Sequence, residues 1–104
     1  MKLRGALLRD EAMVPESQDD WRWKARRVLS RFGARAIPAL VEALSPGEDP
    51  TIRCFAADSL GRLGPEAREA LEALRHSAWH DEDPSVRETA AAALDAVEGP
   101  GLSR

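Results

Sequence analysis

Apolar residues return along this chain with the spacing of one helix face, and they do so three times. Ile52, Ala56, Leu60 and Leu63 fall at i, i+4, i+8 and i+11, positions that line one side of a helix with 3.6 residues per turn. Moving back 31 residues gives Trp21, Ala25, Leu29 and Phe32, and moving forward 34 gives Val86, Ala90, Leu94 and Val97. Every one of these positions is apolar, and the second is alanine each time. So small a side chain lets a neighbouring helix approach closely. Polar positions keep the same register: Arg53 has counterparts at Arg22 and Arg87, and Gly64 has one at Gly33. Self-similarity at this period predicts a stacked helical repeat.

The breaks between apolar stretches predict the individual elements. Leu3–Met13 reads as a short helix, weakened by Gly5 and ended at Val14-Pro15. Ser17 starts the next helix, with Asp20 three residues on and Asp19 and Asp20 at the positive end of its dipole. That helix runs to about Phe32, where Gly33 stops it. A second one spans Ala34–Leu44, with Ile37, Leu40, Val41 and Leu44 as its stripe and Pro38 in its first turn. Ser45-Pro46-Gly47 breaks the chain. Asp49-Pro50 and Asp83-Pro84 each pair an N-cap with proline at the first helical position. The helix after Asp49 ends near Leu63. Pro65 opens its partner, which turns Ala67, Ala70, Leu71, Leu74 and Ala78 inward. The last helix runs from Pro84 to about Val97, before Gly99-Pro100-Gly101.

These elements resemble HEAT repeats, in particular the short bacterial kind found in bilin-lyase-like proteins. The pattern is carried by Asp49-Pro50, Ile52-Arg53, Ala56-Ala57, Leu60-Gly61, Gly64-Pro65-Glu66-Ala67, and Leu71 with Leu74. It covers about residues 18–98 in three registered copies. The first copy departs from it, with Gln18-Asp19 where Asp-Pro would stand, and the Leu74–Pro84 segment is longer than Leu44–Pro50. The resemblance implies an all-α fold, an α–α superhelix of about two and a half hairpins. Residues 1–16 form an N-terminal cap, 17–45 and 48–79 two repeats, 83–98 an unpaired final helix and 99–104 a tail. It also implies a ladder of Arg22, Arg53 and Arg87 with acids of the adjacent loops, for which Asp19, Asp49 and Asp83 are the candidates. The function implied is that of a non-catalytic protein-interaction or scaffolding module, with a bilin-lyase-like accessory role as an alternative.

Composition narrows the class. The 104 residues suit one domain, and 43% hydrophobic with 32% charged residues is a folded composition rather than a disordered one. No apolar run approaches the length of a membrane span, and Met1–Val14 is too interrupted for a signal peptide. With one cysteine there is no internal disulfide framework, and a cytoplasmic location is expected. The net charge of −3 is unevenly placed: residues 1–35 hold nine Lys/Arg against five acids, and the remainder holds six against thirteen. Such asymmetry can align a protein with a partner or with its own next copy.

Candidate chemistry is sparse. His76 and His80 are spaced i, i+4, as two imidazoles on one metal would be. Ser77 stands where a zinc-protease helix carries glutamate, and no further ligand cluster follows, so no metal and no cofactor is expected. Cys54, beside a core position, reads as a small buried residue, and Asp58 as one half of an ion pair with a neighbouring arginine. Trp21–Arg35 holds six basic residues and no acid, interleaved with Trp21, Trp23 and Phe32. The periodicity claims Trp21 and Phe32 for the core, which leaves Trp23, Arg26 and Arg27 outside it. They form a solvated helix face or meet a partner, which is an acidic protein surface or, as an alternative, nucleic acid or an anionic membrane. At the other end, Ala91, Leu94 and Asp95 mark a second face, where association with another protein or with a second copy is expected.

Overall fold

The computed structural model describes residues 21–99, with side chains from residue 24 onward. Helix α1 spans Trp21–Phe32, α2 Ile37–Glu42, α3 Pro50–Leu63, α4 Leu71–His80 and α5 Pro84–Glu98. Tight 3-10 turns over Gly33–Ala36 and Gly64–Ala70 lead into α2 and α4. No strand occurs among the described residues. The N-terminal cap, Asp19 and the tail beyond Gly99 lie outside them.

Local chemistry explains the boundaries. Asp49 is extended and its carboxylate accepts from the Thr51 N–H at 2.8 Å. Asp83 does the same for Ser85 at 2.8 Å and Val86 at 3.3 Å. Each satisfies donors that the first helical turn leaves without a partner, and each is followed by a proline that has no N–H to lose. Gly33 and Gly64 end α1 and α3 with φ of +56° and +64°, a conformation that costs other residues a Cβ clash.

The second helices differ from the sequence expectation. Instead of running continuously from Ala34 and Pro65, each begins in a 3-10 turn, and α2 keeps only six α-helical residues. Within the second turn Ala67 leaves helical geometry, at φ −92° and ψ 26°. Tightening of this kind is common at helix ends. It seats Ala36, Ala67 and Ala70 fully in the core, where longer side chains would hold the layers apart.

Helix α3 is the centre of the stack. Seven of its fourteen residues are buried, including Phe55, Ala56 and Leu60, because α1 and α5 both pack on it, as do α2 and the turn before α4. The repeating alanines Ala25, Ala56 and Ala90 are all fully buried, as the register requires. Leu40 and Leu74, one from each second helix, complete the core layer. Phe55 and Val28 are buried as well, although both lie off the repeating stripe.

Gly61 sets the distance between α3 and α5. A Cβ at this position would sit 3.0 Å from both the Cα and the Cβ of Ala93. Gly61→Leu is therefore expected to push α5 outward and to destabilise the chain by about 1–3 kcal/mol or more. A chemical denaturation midpoint equal to that of the wild type would show that the two helices do not approach so closely.

Candidate functional site

Arg53 is almost entirely buried, at 3% exposure, on the side of α3 that faces the inter-helix loops. Its Nε donates to Asp81 Oδ2 at 2.8 Å and its Nη2 to Asp81 Oδ1 at 3.0 Å. This is the paired geometry in which guanidinium and carboxylate bind best. Nη1 donates to the Pro46 carbonyl at 3.3 Å and to the Glu48 carbonyl. From the next unit, Arg87 Nη1 donates to the Asp81 carbonyl at 2.7 Å, and the Asp83 N–H donates to Asp81 Oδ1 at 2.9 Å. Asp81 thus fastens two successive units to one loop.

The arginine ladder therefore has a different acid from the candidates Asp49 and Asp83. Those two carboxylates are taken up as helix caps, and Asp81, 28 residues from Arg53, stands in the ladder instead. Burial alone would raise the Asp81 pKa. The hydrogen bond from Arg53, the Asp83 N–H and the charges of Arg53 and Arg87 outweigh it and hold the carboxyl below its usual range. For Arg53 the hydrogen bond to Asp81 raises the pKa against the opposing effect of burial. The cluster is structural: its donors and acceptors are directed at one another.

The open surface lies where α4 and α5 meet. Glu72, Arg75, His76, Trp79, His80 and Leu94 line a groove of about 410 Å³. Trp79 is 73% exposed, although it is one of the largest apolar side chains in the protein. The repeat register gives the groove its meaning. Leu60 and Ala57 in α3 are fully buried, and the turn that follows α3 packs against that helix. Their equivalents in α5, 34 residues on, are Leu94, only partly buried, and Ala91, exposed. Asp95 and Ala92 are exposed beside them, whereas Ala90 and Ala93 are buried, so the run of alanines divides between two faces.

Sequence reasoning placed Ala91, Leu94 and Asp95 on this side but overlooked Trp79. The signal was present, because Trp79 falls roughly a quarter-turn off the stripe of Leu71, Leu74 and Ala78. A large apolar residue off the core stripe of an amphipathic helix faces solvent or a partner. Arg75 Nη2 meets Glu98 Oε2 at 3.2 Å across the groove and ties α4 to α5.

At the opposite end, α1 exposes Arg26 and half-buries Arg27, and the Arg31 guanidinium lies 5.7 Å from the centre of the Phe32 ring. Phe32 packs against the core. The side chains of Arg22 and Trp23 are outside the described set. The basic helix and the α4–α5 groove are not brought together; they occupy opposite ends of the stack.

The remaining candidates find local partners. His76 and His80 lie with ring centres 4.9 Å apart and ring planes tilted by 42° on the exposed side of α4. Among the described residues no three His, Cys, Asp or Glu side chains converge as a metal would require. Cys54 is buried with its Sγ 3.9 Å from Thr89 Oγ1, and burial pushes the thiol pKa up, against the reactive thiolate. Asp58 accepts from Arg62 Nε at 2.8 Å, an i, i+4 pair on the surface. Among the described residues no helix is long and apolar enough to cross a membrane.

Comparison with known proteins adds one finding to this geometry. Residues 7–95 match the family described as HEAT repeats. No curated protein and no solved structure matches the chain.

Proposed function

Because this chain belongs to the HEAT-repeat family, whose members are generally scaffolds for protein interactions and typically non-catalytic, we propose that it is a protein-interaction module that binds through the α4–α5 face. The observation that carries this reading is the pair of repeat equivalents treated unequally: Leu60 and Ala57 fully buried, Leu94 and Ala91 left at the surface. Solenoids stack unit on unit, and the outer face of a terminal unit is ordinarily polar. The α4–α5 face instead keeps a partly buried leucine and an exposed tryptophan beside a groove. Tryptophan is among the residues that contribute most when buried at an interface.

The buried polar groups support the same reading by exclusion. Arg53, Asp81 and Cys54 are held by one another or by neighbouring backbone, and none is aimed into the groove. What faces solvent is an apolar strip edged by charges, which is the anatomy of a recognition surface rather than of a reaction centre. Trp79→Ala changes that strip at an exposed side chain, and Leu94→Glu changes it at a partly buried one that packs against the core. Each is expected to abolish capture of the binding partner, with the thermal transition within a few degrees of the wild type for Trp79→Ala and lowered, in a chain that still folds, for Leu94→Glu. Undiminished capture by both variants would move the binding surface elsewhere.

A further inference from the structure

The charges around the two ends of the stack point to the partner. Glu72 lines the α4–α5 groove, Asp95 is exposed next to Leu94, and Glu88 is exposed about two turns earlier on α5; no ion pair joins any of them to another described residue. Helix α1 and the turn after it expose Arg26, Arg31 and Arg35, within a stretch that holds six basic residues and no acid. The acidic face is also the one from which the repeat would continue. Shifting the register by 34 residues carries Cys54 and Gly61, two of the α3 residues in contact with α5, onto Glu88 and Asp95. Where the inner junction has a thiol and a glycine at these two positions, the outer one presents two carboxylates about two helical turns apart. A helix received there must bring positive charge.

From this we propose that the partner is a second copy of the same chain, whose basic α1 end docks on the acidic α4–α5 face with Trp79 and Leu94 at the centre of the contact. The proposal rests on the interaction reading above and narrows it to one occupant. Two different surfaces meet, so the association is head-to-tail. Each junction leaves one α1 end and one α4–α5 face unused, and copies add in a row instead of closing as a pair. Exposed charges steer the contact, so added salt weakens it.

Sedimentation of the purified full chain over a range of concentrations tests the proposal, using two double variants. Arg26→Glu with Arg35→Glu reverses the basic end, and Glu88→Arg with Asp95→Arg reverses the acidic face. All four residues are exposed, and circular dichroism verifies that both variants stay folded. The wild type is expected to gain mass with concentration beyond that of a dimer, and to lose the excess in high salt. Each variant alone is expected to remain monomeric, because each then sets like charge against like. Mixed in equal amounts, the two are expected to assemble again, since every alternating junction is complementary. A wild type that stays monomeric throughout overturns self-association but not the broader reading, which the Leu94→Glu and Trp79→Ala captures decide separately. A mass that levels off at two copies, or variants that fail to rescue each other when mixed, overturns the head-to-tail arrangement.

Discussion

Asp81→Ala is expected to cost about 3–5 kcal/mol of folding stability, the usual effect of removing one partner from a buried ion pair. The substitution deletes little volume. Its effect comes from what it leaves behind, an Arg53 guanidinium that is 3% exposed and has lost both of its carboxylate contacts. The carbonyls of Pro46 and Glu48 remain as acceptors, but neither carries a countercharge. Equilibrium urea unfolding of the variant beside the wild type measures the difference. The ion pair also gives stability a defined acid dependence. The Asp81 carboxyl titrates lower in the folded chain than in the unfolded one, so its contribution is complete above the ordinary carboxylate pKa of about 3.9. It is lost as pH falls from there through the lower folded value. Asp81→Asn is expected to remove that part of the acid dependence. A variant whose stability falls in acid as steeply as the wild type's would place the effect on other carboxylates.

Leu60→Ala is expected to destabilise by about 2–5 kcal/mol, the range for a large-to-small change at a fully buried leucine. Leu60 is completely buried at the centre of α3, in the same core as Leu40 and Leu74. Domains are stable by only about 5–15 kcal/mol, so one such cavity removes a large share of the total. The matching change in the last unit, Leu94→Ala, touches a partly buried residue and is expected to cost clearly less. Thermal unfolding of the two variants compares them directly. Equal losses would show that the third unit is packed as fully as the second.

The contrast between those leucines marks what could be read from the residues. Helix starts and stops were legible because they depend on neighbours in sequence: Asp49 and Asp83 each cap a donor two residues on, and Gly33 and Gly64 supply the conformation that ends a helix. The core alanines were legible because a repeat tests each position three times. The acid that pairs with Arg53 was not. Asp49 and Asp83 recur in register and look equivalent to ladder partners, but a helix cap and an ion pair compete for the same carboxylate, and the nearby N–H groups hold it. Moving the register back 34 residues carries Asp81 onto Gly47, which has no carboxylate, so periodicity could not single it out. The 3-10 starts of the second helices were hidden for a related reason. Hydrophobic spacing over a single turn does not separate i+3 from i+4 bonding, and the choice is made by the close seating of Ala36, Ala67 and Ala70.

The open face tied these elements to function, and its accessibility can be measured residue by residue. Hydroxyl-radical footprinting read by mass spectrometry reports on Trp79, Leu94 and Leu60 in one experiment. In dilute protein, Trp79 is expected to be modified strongly, Leu94 to an intermediate extent and Leu60 hardly at all. When the partner is added, whether more of the same chain or a different captured protein, Trp79 and Leu94 are expected to become protected while residues of α2 keep their reactivity. Protection confined to other helices, with Trp79 and Leu94 reacting in the complex as they do alone, would contradict the assignment of the α4–α5 face as the site of binding.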